Sequence, residues 1–208
     1  MRDIRSYLFV PATEEGRVRK AHTRGADCLI LDLEDGAARQ GKAAARAALP
    51  RLIGELANKA QTVSVRIDGS PSDLHADLSA AVQPGLTSIV APKVDNADSV
   101  AGLVASIRCK ETERGLPGGA IGLIALIESP RALEHISRIA DVPGVVGLAL
   151  GVEDFTLALG VEPGPEALDL PCRMLALTAA ARGLASIGAP ASIATFDPPS
   201  PYGRRAAC

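Results

Sequence analysis

Short, continuous apolar runs alternate along the chain with Ala-rich, charge-bearing segments whose apolar residues recur at helical spacing. The runs cover Tyr7–Val10, Cys28–Leu33, Val63–Ile67, Ser88–Ala91, Ile121–Ile127 and Val145–Leu150, with a weaker one at Ala191–Thr195. An unbroken apolar run, rather than an alternating one, is what a strand buried on both faces requires. Helices are predicted between the runs, over Glu14–Arg24, Gly41–Ala57, Ser72–Ala81, Asn96–Arg114, Pro130–Ile139, Phe155–Leu159 and Asp169–Gly188. Ser129-Pro130 supplies a clear start for one of them, because proline suits the first helical turn. Strands separated by helices call for a parallel sheet and an α/β fold.

Two parallel architectures compete. An open doubly wound sheet with a dinucleotide site carries GxGxxG after its first strand, and here that place reads Val10-Pro11-Ala12-Thr13-Glu14. The prediction is therefore a TIM-type (β/α) barrel, a single domain over residues 1–208. That length stands near the lower bound of about 200 residues for eight strands. No eighth strand is legible, and residues 197–208 (DPPSPYGRRAAC) read as an irregular tail. The barrel is expected to be truncated before its eighth strand.

Composition narrows the function classes. With 47% hydrophobic and 22% charged residues the chain is an ordinary globular one. A net charge of −2 and the absence of Trp argue against a nucleic-acid partner. The apolar runs are too short to cross a bilayer, and no signal peptide is legible before the first run. Cys28, Cys109, Cys172 and Cys208 are scattered without a CxxC pair, which speaks against a zinc site or disulfide framework. Cys28 reads as a buried thiol. The expectation is a cytoplasmic protein without a membrane partner.

The chemistry collects at strand ends. The second run ends in Asp32-Leu33-Glu34-Asp35, the third in Arg66-Ile67-Asp68 and the fourth in Pro92-Lys93. The fifth ends in Glu128, and the sixth is followed by Glu153-Asp154. In a parallel barrel such ends share one mouth, where active sites are built. Glu128 closes a long apolar run, where a carboxylate needs a partner. It reads either as an ion pair with Arg131 or a lysine, or as a metal ligand. Asp154 reads as the N-cap of the next helix or as a second ligand. Two such carboxylates make a hard oxygen site suited to Mg²⁺.

Arg66 matches a substrate carboxylate in two hydrogen bonds, or else pairs with Asp32, Glu34 or Asp68. Strand alternation puts Asp32 and Glu34 on one face and Leu33 and Asp35 on the other. Lys93 reads as an ion-pair partner in preference to a Schiff-base amine. His22, His75 and His135 read as helix-surface residues, and Gly118-Gly119 as a turn.

The segments RSYLFVPA, GADCLILDLEDGAA, VSVRIDG, SIVAPKVDNA, GLIALIESPRAL and GLALGVEDFTLALG carry a further signal. In this order and spacing they resemble the citrate lyase beta-subunit-like proteins of the HpcH/HpaI aldolase superfamily. The resemblance implies a TIM-type barrel assembling into trimers or hexamers, and a carbon–carbon lyase acting on a hydroxy-acid thioester such as citryl-, malyl- or citramalyl-CoA, or its acyl-carrier counterpart. It implies Glu128 and Asp154 as Mg²⁺ ligands, with Glu128 also facing substrate. It further implies Arg66 as the arginine holding substrate, Glu34 and Asp35 as acids near the metal water, and Arg5 with Phe9-Val10-Pro11 as lining of the substrate entry. Two alternatives stay open: a Mg²⁺ aldolase on free hydroxy-oxo acids, and a truncated, catalytically silent barrel that binds metal or a partner.

Overall fold

A computed structural model gives the structure of residues 4–34 and 41–188. Six of the apolar runs become strands, β1 (Tyr7–Pro11), β2 (Cys28–Asp32), β3 (Thr62–Arg66), β4 (Ser88–Ala91), β5 (Gly122–Ile127) and β6 (Val145–Leu150), and a seventh, β7 (Ala185–Ile187), forms where helix was predicted. Between them run α1 (Glu15–Ala21), α2 (Lys42–Ala57), α3 (Pro71–Ala81), α4 (Ala97–Glu113), α5 (Pro130–Glu134), α6 (Ile136–Ala140), α7 (Val152–Leu159) and α8 (Pro165–Ala180). Strand order in the sheet follows chain order, β1 to β7. That is the order of a (β/α) barrel, and the described residues supply seven of the eight strands such a barrel has. The fold class is thus α/β, a TIM-type barrel of which the described residues form seven strands.

The residues cluster in two compact units, one built on the chain up to Ala91 with Val104–Leu123, the other on Pro92–Leu103 and the chain from Ile124. In the first, β1 to β4 pair in parallel, with Tyr7 opposite Cys28, Asp32 opposite Arg66 and Ser64 opposite Ser88. Every residue of β2 is buried. Leu49, Leu52, Ile53 and Leu56 form the buried face of α2. Each such side chain contributes roughly 1.5–3 kcal/mol, which offsets the helix bond lost at Pro50. The fully buried Glu111 accepts from Arg108 at 2.8 Å and from the N–H groups of Gly119 at 2.9 Å and Ile121 at 2.7 Å. These bonds fix where β5 begins.

A polar cluster joins α2, α3 and the end of β3. Lys42 pairs with Asp68, and Arg46 pairs with Asp73 and, at 2.6 Å, with the buried Asp77. Burial alone would raise the Asp68 carboxyl, but hydrogen bonds from Lys42 and Ser70 outweigh it and hold the group at about 2, below its ordinary 3.8. A depressed carboxyl contributes stability that is complete above its unfolded-state value and is lost as pH falls through the folded one. Asp68→Asn is therefore expected to cost about 1–2 kcal/mol near pH 6. The difference from wild type should shrink between pH 4 and 2, as read by urea unfolding across that range. A difference that stays constant with pH would rule the linkage out.

In the second unit β6 and β7 pair in parallel, Gly147 opposite Ala185 and Ala149 opposite Ile187. The predicted helix running to Gly188 is corrected here. α8 ends at Ala180, and Gly183, at φ +66°, turns the chain into β7. Glycine enters that left-handed region at little cost. The weak run Ala191–Thr195 and the tail 197–208 lie outside the described residues. The predicted helix over Pro130–Ile139 is two short helices, because His135 (φ −97°, ψ 4°) leaves the α conformation between them. Among the described residues no helix is long and apolar enough to cross a membrane.

Candidate active site

In the first unit, the register that sets Asp32 opposite Arg66 brings their side chains together at the ends of β2 and β3. Arg66 donates from Nε to Asp32 Oδ1 at 2.7 Å and from Nη2 to Oδ2 at 2.8 Å, the two-pronged geometry of a guanidinium on a carboxylate. Its Nη1 lies 3.0 Å from Glu34 Oε2. The guanidinium also stands over the Phe9 ring, 5.2 Å from its centroid, a cation–π contact. Asp32 further accepts the Glu34 N–H at 3.0 Å, which bends the chain so that both acids reach one arginine. Asp32 and Glu34 are only 4% and 6% exposed, so Arg66 is the counter-charge of two buried carboxylates. Asp35 lies outside the described residues.

Arg5 lies elsewhere. It precedes β1 and pairs with Asp27, which precedes β2, with Nε 3.6 Å from Oδ2. Its backbone N–H donates to the same oxygen. Arg5 thus stands at the strand starts, a strand length or roughly 16 Å from the Asp32–Arg66 pair at the strand ends, and its side chain is exposed.

In the second unit, Glu128 follows directly on β5, whose six residues are all buried, and is itself only 6% exposed. Its Oε2 accepts the backbone N–H of Lys93 at 2.7 Å. Lys93 has φ +54°, a left-handed conformation that lysine rarely takes. Across the carboxylate stands Gly151, where a Cβ would come within 2.7 Å of Glu128 Oε1. Only glycine leaves room for the carboxylate there. The Gly151 N–H bonds to the Ile127 carbonyl at 3.0 Å and fixes this floor to the end of β5.

Glu128, Ser129, Lys93, Val94, Asp95 and Asp154 line one cleft of about 230 Å³. Ser129 Oγ accepts the Ala132 N–H, capping α5, and donates to Asp95 at 2.8 Å. Asp154 lies in the first turn of α7, whose N-cap is Gly151. It is therefore not the cap itself. Glu128 and Asp154 offer hard oxygen donors to one space, which suits Mg²⁺ held by one or two carboxylates with water and substrate completing its shell. Among the described residues no group of three or more His, Cys, Asp or Glu side chains is assembled around one point.

Sequence reasoning missed the structural parts of this cleft. Gly151 carried a usable signal, since it stands directly before the Val-Glu-Asp segment. The left-handed turn at Lys93 carried none, because nothing in Pro-Lys-Val announces it.

The family model described as HpcH/HpaI aldolase/citrate lyase matches residues 5–198. Citrate lyase subunit beta of Escherichia coli (strain K12) is 33% identical over 156 residues, covering 74% of this chain and 52% of that protein. The (3S)-malyl-CoA thioesterase of Cereibacter sphaeroides (strain ATCC 17029 / ATH 2.4.9) is 30% identical over 155 residues, covering 73% of this chain and 50% of that protein. The chain spans about half the length of the curated relatives it matches. Among solved structures, the Mycobacterium tuberculosis citrate lyase beta subunit complexed with oxaloacetate and magnesium aligns with a TM-score of 0.67 at 29% identity, over 88% of this chain and 77% of that one. CitE of the same organism with magnesium, acetoacetate and coenzyme A gives a TM-score of 0.71 at 28% identity, over 95% of this chain and 69% of that one.

Proposed function

Because the chain belongs to the HpcH/HpaI aldolase/citrate lyase family, we propose that it is a Mg²⁺-dependent carbon–carbon lyase acting on a hydroxy-acid thioester. The thioester would be of the citryl, malyl or citramalyl kind, on CoA or an acyl carrier. The observation that carries the reading is the pair Glu128 and Asp154 lining one cleft of the second unit. The solved relatives complexed with magnesium together with small oxo-acids or coenzyme A support the same substrate class.

We assign the cation to Glu128 and Asp154, and recognition of the substrate carboxylate to Arg66. Bound Mg²⁺ would supply electrostatic stabilisation for the negative charge that develops on oxygen as the bond breaks. Asp32, Glu34 and Phe9 hold the Arg66 guanidinium in one plane, so little ordering is left for substrate binding. In the cleavage the substrate hydroxyl loses its proton, the carbon–carbon bond breaks and an oxo-acid forms. The electron pair passes to the thioester fragment, which is then protonated. Glu34 and Asp35 are the acids we assign to this proton traffic, and cytoplasm is the compartment where such thioesters would be met.

A mixture of protein, Mg²⁺ and each CoA thioester, coupled to detection of oxaloacetate, glyoxylate or pyruvate, tests the proposal. Release of oxo-acid that stops on adding EDTA is the expected result. Cleavage of free hydroxy-oxo acids alone would favour an aldolase. Mg²⁺-dependent thermal stabilisation without any product would instead mark a silent, metal-binding barrel.

A further inference from the structure

Glu128 sits between two backbone elements that no side-chain motif announces. On one side the Lys93 N–H meets Oε2 at 2.7 Å, the short end of the range for a charge-assisted bond. That N–H points there because Lys93 stays at φ +54°, a conformation that is strained for any residue with a Cβ. On the other side Gly151 lies against the carboxylate, with space for a hydrogen and none for a methyl group. Strain held at one wall and a missing side chain at the other both act on a single, nearly buried carboxylate. A structural glutamate needs only a counter-charge. One gripped through its orientation is prepared for a ligand.

Taking the Mg²⁺ reading above as its premise, we infer that Lys93 is a positioning residue that acts through its backbone. Its left-handed turn holds Glu128 Oε2, and with Gly151 it sets the orientation in which the carboxylate meets a divalent cation. The Lys93 side chain is exposed, while its backbone N–H is the donor to Glu128 Oε2. The role assigned here belongs to the left-handed turn and its N–H.

Two readouts test this on the full chain with Mg²⁺ alone as probe. In an amide ¹H–¹⁵N spectrum the Lys93 proton should lie far downfield, move upfield in Glu128→Gln, and shift on Mg²⁺ titration with the midpoint measured by calorimetry. Calorimetry on variants should give a Mg²⁺ Kd within about twofold of wild type for Lys93→Ala and Lys93→Gly, which both keep the N–H. Gly151→Ala should raise the Kd at least tenfold, since the added methyl displaces the carboxylate. A Lys93 amide unmoved at saturating Mg²⁺, or a tenfold loss in Lys93→Ala, would overturn the backbone role and leave the metal site standing. A wild-type protein with no response to millimolar Mg²⁺ would overturn the metal site itself, and the inference with it.

Discussion

Replacing Glu128 by glutamine is expected to abolish stabilisation by Mg²⁺ and to lower lyase turnover at least a hundredfold. The amide oxygen can still accept the Lys93 N–H, so the local packing survives. What disappears is the charge. A cation near a carboxylate pair owes most of its affinity to that charge, and a neutral amide is a poor ligand for Mg²⁺. At a Mg²⁺ concentration a hundredfold above its Kd, a binding-competent protein gains about 2.7 kcal/mol. The variant should gain none. Without metal the sign reverses, because burying an ionised carboxylate costs free energy that an amide does not. Glu128→Gln should therefore melt at or above the wild-type temperature in EDTA and below it in Mg²⁺. A variant that keeps the full Mg²⁺ shift would remove Glu128 from the metal site.

Arg66→Ala is expected to destabilise the fold by about 3–5 kcal/mol, the scale for stripping a buried ion pair of one partner. Asp32 and Glu34 are almost wholly buried and would lose the counter-charge that Arg66 gives both of them. Neutralising them should restore much of the loss, so Arg66→Met with Asp32→Asn and Glu34→Gln should unfold at a higher denaturant concentration than Arg66→Ala alone. Arg66→Lys separates structure from binding. Lysine keeps the charge but cannot span both oxygens of Asp32 while meeting Glu34. Its KM for the acidic substrate should rise about tenfold or more, with the Mg²⁺ midpoint little changed. Equal KM in wild type and Arg66→Lys would confine Arg66 to holding the fold together.

The strand and helix pattern was legible where one sequence signal has one structural solution. Cys28–Leu31 and Gly122–Ile127 are apolar throughout and are buried throughout. Ser129-Pro130 starts α5 with proline in the first turn, as predicted. β7 was not legible, because a three-residue, half-buried strand of Ala-Ser-Ile has no periodicity of its own and follows an Ala-rich helix. The helix appeared to continue, and the left-handed turn at Gly183 that stops it is only a permission in the sequence.

The site divides in the same way. That Asp32, Glu34, Arg66, Glu128 and Asp154 stand at or just beyond strand ends follows from the sequence, since the apolar runs stop there. Which of them touch was decided by tertiary structure. Register set Asp32 opposite Arg66 and turned a candidate substrate arginine into the partner of two acids as well. Backbone conformation at Lys93 and the empty Cβ position at Gly151 decided how Glu128 is held. Local sequence determines periodicity and therefore burial along one element. The meeting of side chains from different strands depends on register, and the aim of a backbone N–H depends on a dihedral angle that only the surrounding packing can hold.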